Sequence, residues 1–237
     1  GSVLSYTAKV DIRKPTITSV TGNPTAWTNQ DVTLTVNGAA DNAGGSGLQA
    51  SAYSFDNGAT WQTGNTKTYT ANKNGIIIQV RDVAGNIYVH PTINITKIDK
   101  SEPTVTVVVT KKGTTTAVAS NTWSTSTLEY TFTSHDVGAS GATIYYCKDT
   151  ANTCNPTTVA TTGVKVTALN AEEDTYYVRY KVVSGGGYTS ATSSYTAKVD
   201  IRKPTITSVT GNPTAWTNQN VTLTVNGAAD NAGGSGL

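Results

Sequence analysis

Methionine is absent from this chain, histidine, cysteine and phenylalanine occur twice each, and charged residues fill 14% of its 237 positions. Each shortage closes off a class of function. Acidic and basic residues nearly balance, at a formal net charge of +2. No stretch concentrates Lys and Arg, so the basic patch of a nucleic-acid binder is missing and no nucleic-acid partner is expected. No apolar run approaches the ~20 residues of a membrane helix, so no membrane insertion is expected within this stretch. Leucine is sparse and no 3.6-residue periodicity appears, so long helices are not expected. His90 and His135 fall in different parts of the chain, no Ser/His/Asp set can be assembled around either, and no Gly-rich loop precedes a helix. His90 alternates with Val89 and reads as facing solvent, and Glu172-Glu173-Asp174 reads as a solvated turn. The chain is therefore not expected to be an enzyme. Cys147 and Cys154 lie in IYYCKDTANTCNP. Two thiols without a nearby His do not make a zinc site. They read as a disulfide clasping a hairpin, which implies an oxidising compartment, or else as two reduced thiols.

What the chain does have is repetition. Tyr6 to Leu48 returns at Tyr195 to Leu237 with one difference, Asp31 becoming Asn220. Near-identity at that distance marks an array of repeats. The second copy breaks off in mid-unit, so the sequence is expected to belong to something longer. Each copy begins at a junction with Asp four residues ahead of Pro: Asp11 to Pro15 and Asp200 to Pro204, with Asp99 to Pro103 between them. Proline fixes φ and extends its predecessor, so these junctions read as short, stiff links.

Between junctions, β-branched and aromatic residues alternate with Thr, Ser and Asn. In the first unit Ile17–Val20 reads as strand A, Val32, Leu34 and Val36 as the buried face of strand B, and Tyr53 and Phe55 as strand C. Asp56-Asn57-Gly58 is a hairpin signal. Thr66–Ala71 follows as strand E, Asn72–Gly75 as a turn, Ile76, Ile78 and Val80 as strand F, and Ile87–Thr96 as one long last strand. In the second unit the strands are marked by Val105, Val107 and Val109; Leu128, Tyr130 and Phe132; Ile144–Lys148; Val164 and Val166; Tyr176 to Val182; and Tyr188–Val199. About seven short strands per unit, with turns every 8–12 residues, is the pattern of an immunoglobulin-like sandwich. The expected fold is all-β, as tandem immunoglobulin-like antiparallel β-sandwiches. Residues 1–10 are a last-strand remnant, 11–99 and 100–199 two domains, and 200–237 an incomplete domain with strands A and B.

Three motifs carry a resemblance: Asp41…Ser46-Gly47-Leu48, the Phe-Asp-Asn-Gly-Ala-Thr-Trp turn at Phe55 to Trp61, and Val-Arg-Asp-Val-Ala-Gly-Asn at Val80 to Asn86. With them the chain resembles the bacterial Ig-like repeats of large surface proteins and adhesins. The second unit, with Tyr145 to Cys154, resembles a related branch and departs from the Asp-x-Ala-Gly-Asn pattern. The resemblance implies an extracellular, cell-surface location and a role as stalk, fibre or spacer. Its partners are expected to be neighbouring repeats or, as the alternative, identical chains in a filament.

In such a sandwich the incoming link and the B–C and F–G loops share one pole. Asp11, Asp41, Asp82 and Asn86 are then expected to converge. Hard oxygen donors of this kind suit calcium, and the resemblance adds weight because some bacterial Ig-like adhesins are stiffened by calcium. The same residues are also ordinary turn formers. In the second unit Asp99 and Asp136 alone match. Asp31, which differs between the copies, reads as a tolerant surface position outside any site. Trp27, Trp123 and Trp216 recur just before strand B, which favours packing over sugar stacking. An isopeptide crosslink through Lys9, Lys97 or Lys198 would need a facing buried acid, and none presents itself.

Overall fold

The computed structural model describes residues 3–167, 169 and 173–237, the side chains of Glu173 and Asp174 excepted. Of the acidic run expected as a turn, Glu172 lies outside the described residues, while the backbone of Glu173 and Asp174 begins a strand. The described chain forms strands, turns and bends and no helix, and its fold is all-β, of immunoglobulin-like antiparallel sandwiches. By spatial contact it divides into two units. The first takes the chain to Ser101 with the loops Gly138–Ser140 and Gly185–Gly187. The second takes Glu102–Val137, Gly141–Ser184 and Tyr188–Leu237.

In the first unit one sheet has the order β1-β2-β4, from Ser19–Thr21, Val32–Asn37 and Thr66–Tyr69. A second has β3 (Leu48–Ser54), β6 (Gln79–Asp82) and β7 (Ile87–Val89), and β5 (Lys73–Ile76) pairs with β8 (Ile93–Ile95). Alternation sets the burial. Val32, Leu34 and Val36 point inward against Ile76, Ile78, Val80 and Ile95, while Thr33 faces out and shares a 2.8 Å hydroxyl contact with Thr68. Each buried aliphatic side chain contributes about 1.5–3 kcal/mol relative to exposure. The hairpin after β3 holds Asn57 at φ 60° and Gly58 at φ 83°. Left-handed φ at both central residues matches the right-handed twist of the flanking strands.

Two details differ from the sequence reading. Asn72–Gly75 is not a free turn, because Lys73 to Ile76 pairs with β8 around a bulge and the Asn72 side chain brackets Ile98 at 2.9 and 2.8 Å. Nor is the last strand continuous. It breaks at His90-Pro91, where proline has no N–H to give, and β7 pairs with β6 while β8 pairs with β5. His90 at the break is half-buried and Val89 exposed, the reverse of the expected alternation.

The second unit has a five-stranded sheet, β10-β16-β15-β12-β13, from Trp123–Ser124, Ser193–Asp200, Glu173–Ser184, Ala142–Asp149 and Thr158–Ala160. Facing it is β14-β11-β9, from Lys165–Val166, Leu128–His135 and Thr104–Lys111. Leu128, Tyr130 and Phe132 are buried with Tyr176, Val178 and Val182. Buried Tyr hydroxyls need partners: Tyr130 bonds Tyr176 at 3.0 Å, and Tyr195 donates to the Val118 carbonyl at 2.8 Å. Strand β13, absent from the sequence reading, follows the Cys147–Cys154 disulfide, which closes with Cα atoms 6.2 Å apart. Finally β17 (Ser208–Thr210) pairs with β18 (Thr224–Asn226).

Candidate functional site

At one end of the first unit three segments meet. The Asp11 carboxylate follows the incoming chain and accepts the Arg13 N–H at 3.2 Å and the Ser46 N–H at 2.7 Å. Asp41 opens the loop after β2 and accepts the N–H groups of Asn42 at 2.8 Å and Gly47 at 2.6 Å. Asp82 ends β6 and accepts the Asn86 N–H at 2.7 Å and its Nδ2 at 2.8 Å. Asn86 Nδ2 also donates to the Asp11 carbonyl at 3.0 Å. The loops are tied directly too, Ala84 N–H to Ser46 Oγ at 3.1 Å and Val83 N–H to the Gly47 carbonyl at 2.9 Å.

The structure thus brings Asp11, Asp41, Asp82 and Asn86 together. One carboxylate oxygen from each Asp lies within 4.8 Å of the others. Asp82 is buried, at 1% exposure. The ion pairs among the described residues lie elsewhere, so these carboxylates have no Lys, Arg or His within ion-pair reach. The Ser46 N–H, aided by its hydroxyl, holds the Asp11 carboxyl below its ordinary value. The neighbouring Asn42 Oδ1 is buried without a hydrogen-bond partner. An open groove of about 770 Å³, lined by Lys9, Val10, Asp11, Ser46, Val83 and Ala84 among others, runs beside the cluster. Chemically the arrangement offers several hard oxygens. It suits a divalent cation such as calcium.

The sequence reading missed the role of the serine. Asp99 accepts the N–H groups of Ser101 at 3.0 Å and Ser140 at 3.3 Å. Asp200 accepts those of Arg202 at 3.3 Å and Ser235 at 2.6 Å. Every junction Asp therefore clamps a Ser N–H far along the chain. Burial pushes the Asp99 carboxyl up, but the Ser140 and Ser101 bonds outweigh it and hold it low. Ser235 does the same for Asp200. Around Asp99 the loop that replaces Asp82…Asn86 is Gly185-Gly186-Gly187, which brings no side-chain ligand atoms. A Cβ on Gly186 would stand 2.7 Å from the Asp99 carbonyl oxygen, and one on Gly185 2.3 Å from that of Ser140, so glycine here serves close approach.

Other residues fall as follows. Asp31 is exposed, as expected of a surface position, and pairs with Lys100. Lys97 Nζ sits 4.7 Å from the Trp27 ring centre and Lys198 Nζ 5.7 Å from that of Trp123. Arg81 covers Trp61 at 4.1 Å.

No protein-family model matches this chain, nor does any curated protein. A structure search finds the fibronectin(III)-like modules of Clostridium thermocellum CbhA, at 16% sequence identity and a TM-score of 0.34, over 77% of this chain and 94% of that one.

Proposed function

We propose that this chain is a structural repeat region, a stalk, spacer or fibre segment of a secreted or surface-anchored bacterial protein that holds a distal element away from the cell. The observation that carries this reading is the clamp rebuilt at every junction: Asp11 to Ser46, Asp99 to Ser140 and Asp200 to Ser235. A repeated device that pins the backbone where the chain passes from one set of strands to the next suits a part selected for defined spacing. The role is non-catalytic. An extracellular setting is supported by the Cys147–Cys154 disulfide. Among the described residues no helix is long and apolar enough to cross a membrane.

Calcium is the cofactor this reading takes at Asp11, Asp41, Asp82 and Asn86. A buried carboxylate beside two others, without a cationic side chain, is relieved by a bound cation. The ion would tie the incoming link to both loops. The partners are neighbouring repeats.

The spacer role is tested by joining one, two and four copies of the block Tyr6 to Ser194 and measuring the distance between dyes at the two termini. The distance should grow in proportion to copy number. A distance that saturates would sink the spacer reading. Concentration-dependent polymers would favour a filament built by cross-chain strand addition, and retention on a glycan surface an adhesive, carbohydrate-binding module.

A further inference from the structure

The second unit carries a device that the first lacks. Both cysteines lie there, and their bond spans a sequence separation of 7. The gain from a crosslink grows with the loop it closes, so a bond this local adds little to the whole fold and serves to fix one hairpin. Other contacts tighten the same hairpin. Asp149 accepts the N–H groups of Asn152, Thr153 and Cys154 at 2.9, 2.7 and 2.8 Å. Arg179 reaches from β15 to the Cys154 carbonyl at 2.6 Å. The Ser194 hydroxyl on β16 donates to the Asn152 side chain at 2.8 Å. In the first unit the matching hairpin, after β3, turns without a cysteine.

The pinned hairpin holds up a wall. Asn155, Pro156 and Thr157 follow Cys154, and with Tyr145, Lys181 and Val183 they line a cavity of about 280 Å³. The strand register lays its floor. Tyr145 on β12 stands opposite Lys181 on β15, on the face of the sheet turned away from the buried Ile144 and Val182. The Lys181 ammonium donates to the Asn155 side-chain oxygen at 3.3 Å. It has no carboxylate partner, since the ion pairs among the described residues are Asp31–Lys100 and Glu129–Lys165. Arg179, two residues away on the same face, adds a second positive charge. Asn155 and Thr157 are exposed at the rim and present an amide and a hydroxyl. The volume lies at the small end for ligand sites, enough for one ring and too little for a folded partner.

We propose that this pocket binds a single carboxylated sugar ring, the uronic or sialic acid unit of an acidic glycan. The carboxylate meets the Lys181 ammonium in a charge-assisted hydrogen bond. The C–H face of the ring lies on Tyr145, whose aromatic face is negative. Asn155 and Thr157 take the ring hydroxyls. The disulfide acts by preorganisation: the wall stands before the ligand arrives, so binding spends less on ordering it. A neutral sugar leaves Lys181 unanswered, and a bare carboxylate leaves Tyr145 unused. The inference goes beyond the spacer reading and does not rest on it, because the array sets length while this pocket belongs to one hairpin.

Calorimetric titration of the 237-residue chain is the test. Methyl glucuronide or a methyl sialoside should bind saturably, and the tighter of the two names the source of the ring. Methyl glucoside and acetate should bind at least about tenfold more weakly, the loss expected when a charged hydrogen bond or the ring contact is missing. Lys181→Ala and Tyr145→Ala should each weaken the acidic sugar by a similar factor. Both positions lie on the outer face of the sheet, and circular dichroism identical to the parent's shows that the fold is kept. Replacing both cysteines by serine should also weaken binding, through the loosened wall. Absence of saturable binding by either acidic sugar overturns the proposal. So does acetate binding as tightly as the sugars, which would reduce the site to a bare cation, or an affinity that both Lys181→Ala and Tyr145→Ala leave unchanged, which would put the sugar elsewhere.

Discussion

The Ser46 N–H donates to the Asp11 carboxylate at 2.7 Å, across 35 residues of chain. A bond of that span fixes a loop to the segment that precedes the sandwich. Asp11→Ala should leave the core intact, free the Asp41–Gly47 loop, lower the melting temperature by a few degrees and speed proteolysis within the loop. Cleavage at the parental rate would show that the clamp holds nothing.

Calcium should raise the melting temperature of the chain, and a chelator should reverse the gain. At a hundredfold excess over the dissociation constant the stabilisation is about 2–3 kcal/mol. Asp82→Asn removes the buried charge and can accept only one of the two Asn86 bonds that the carboxylate accepts, so it should lower the parental stability and abolish the response to calcium. A melting curve indifferent to calcium in the parent rules out the cation.

Leu34 and Leu223 have near-identical local sequences and opposite surroundings. Leu34→Ala should cost about 2–5 kcal/mol, as for a leucine removed from a packed core. Leu223→Ala should stay within about 0.5 kcal/mol, as at a surface position. Chemical denaturation of the two variants decides. Equal losses would contradict the difference in burial.

Asp56 holds its hairpin by accepting the hydroxyl and N–H of Thr60 and the hydroxyl of Ser54. The Thr60 bonds, with Ser54, bring its carboxyl down to about 2 from an ordinary 3.8. A lowered carboxyl stabilises fully above its unfolded value and loses that contribution as pH falls. The advantage of the parent over Asp56→Asn should therefore be complete above about pH 5 and fade between about pH 4 and pH 2. A gap in melting temperature that stays constant down to pH 2 would assign the effect to shape rather than charge.

The fold class was legible because one-sided burial writes itself as alternation. Val32, Leu34 and Val36, and Leu128, Tyr130 and Phe132, show it without interruption. Boundaries were less legible where a single residue decides them. Pro91 splits the last strand between partners, and the bulge at β5 makes a strand from a segment with turn composition. The acidic meeting point could be placed from strand order alone. Its clamp could not, because the donors are backbone N–H groups and carry no sequence letter. Lys100 on Asp31 and the lysines over tryptophan depend on which residues face each other across strands, and a parallel contact such as Trp123 to Lys198 leaves no local pattern.

Thr28 is held on both sides by the outgoing segment, its N–H to the Lys97 carbonyl at 2.9 Å and its carbonyl to the Asp99 N–H at 2.8 Å. The two stretches run parallel. Tension applied through the ends of the unit therefore pulls this contact in shear, straining both bonds together instead of peeling them one by one. Rupture, not extension, is the expected response of the first unit to stretching. Thr28→Pro removes the first of the two bonds, and it should lower the rupture force measured by single-molecule pulling. An unaltered force would place the mechanical lock elsewhere in the unit.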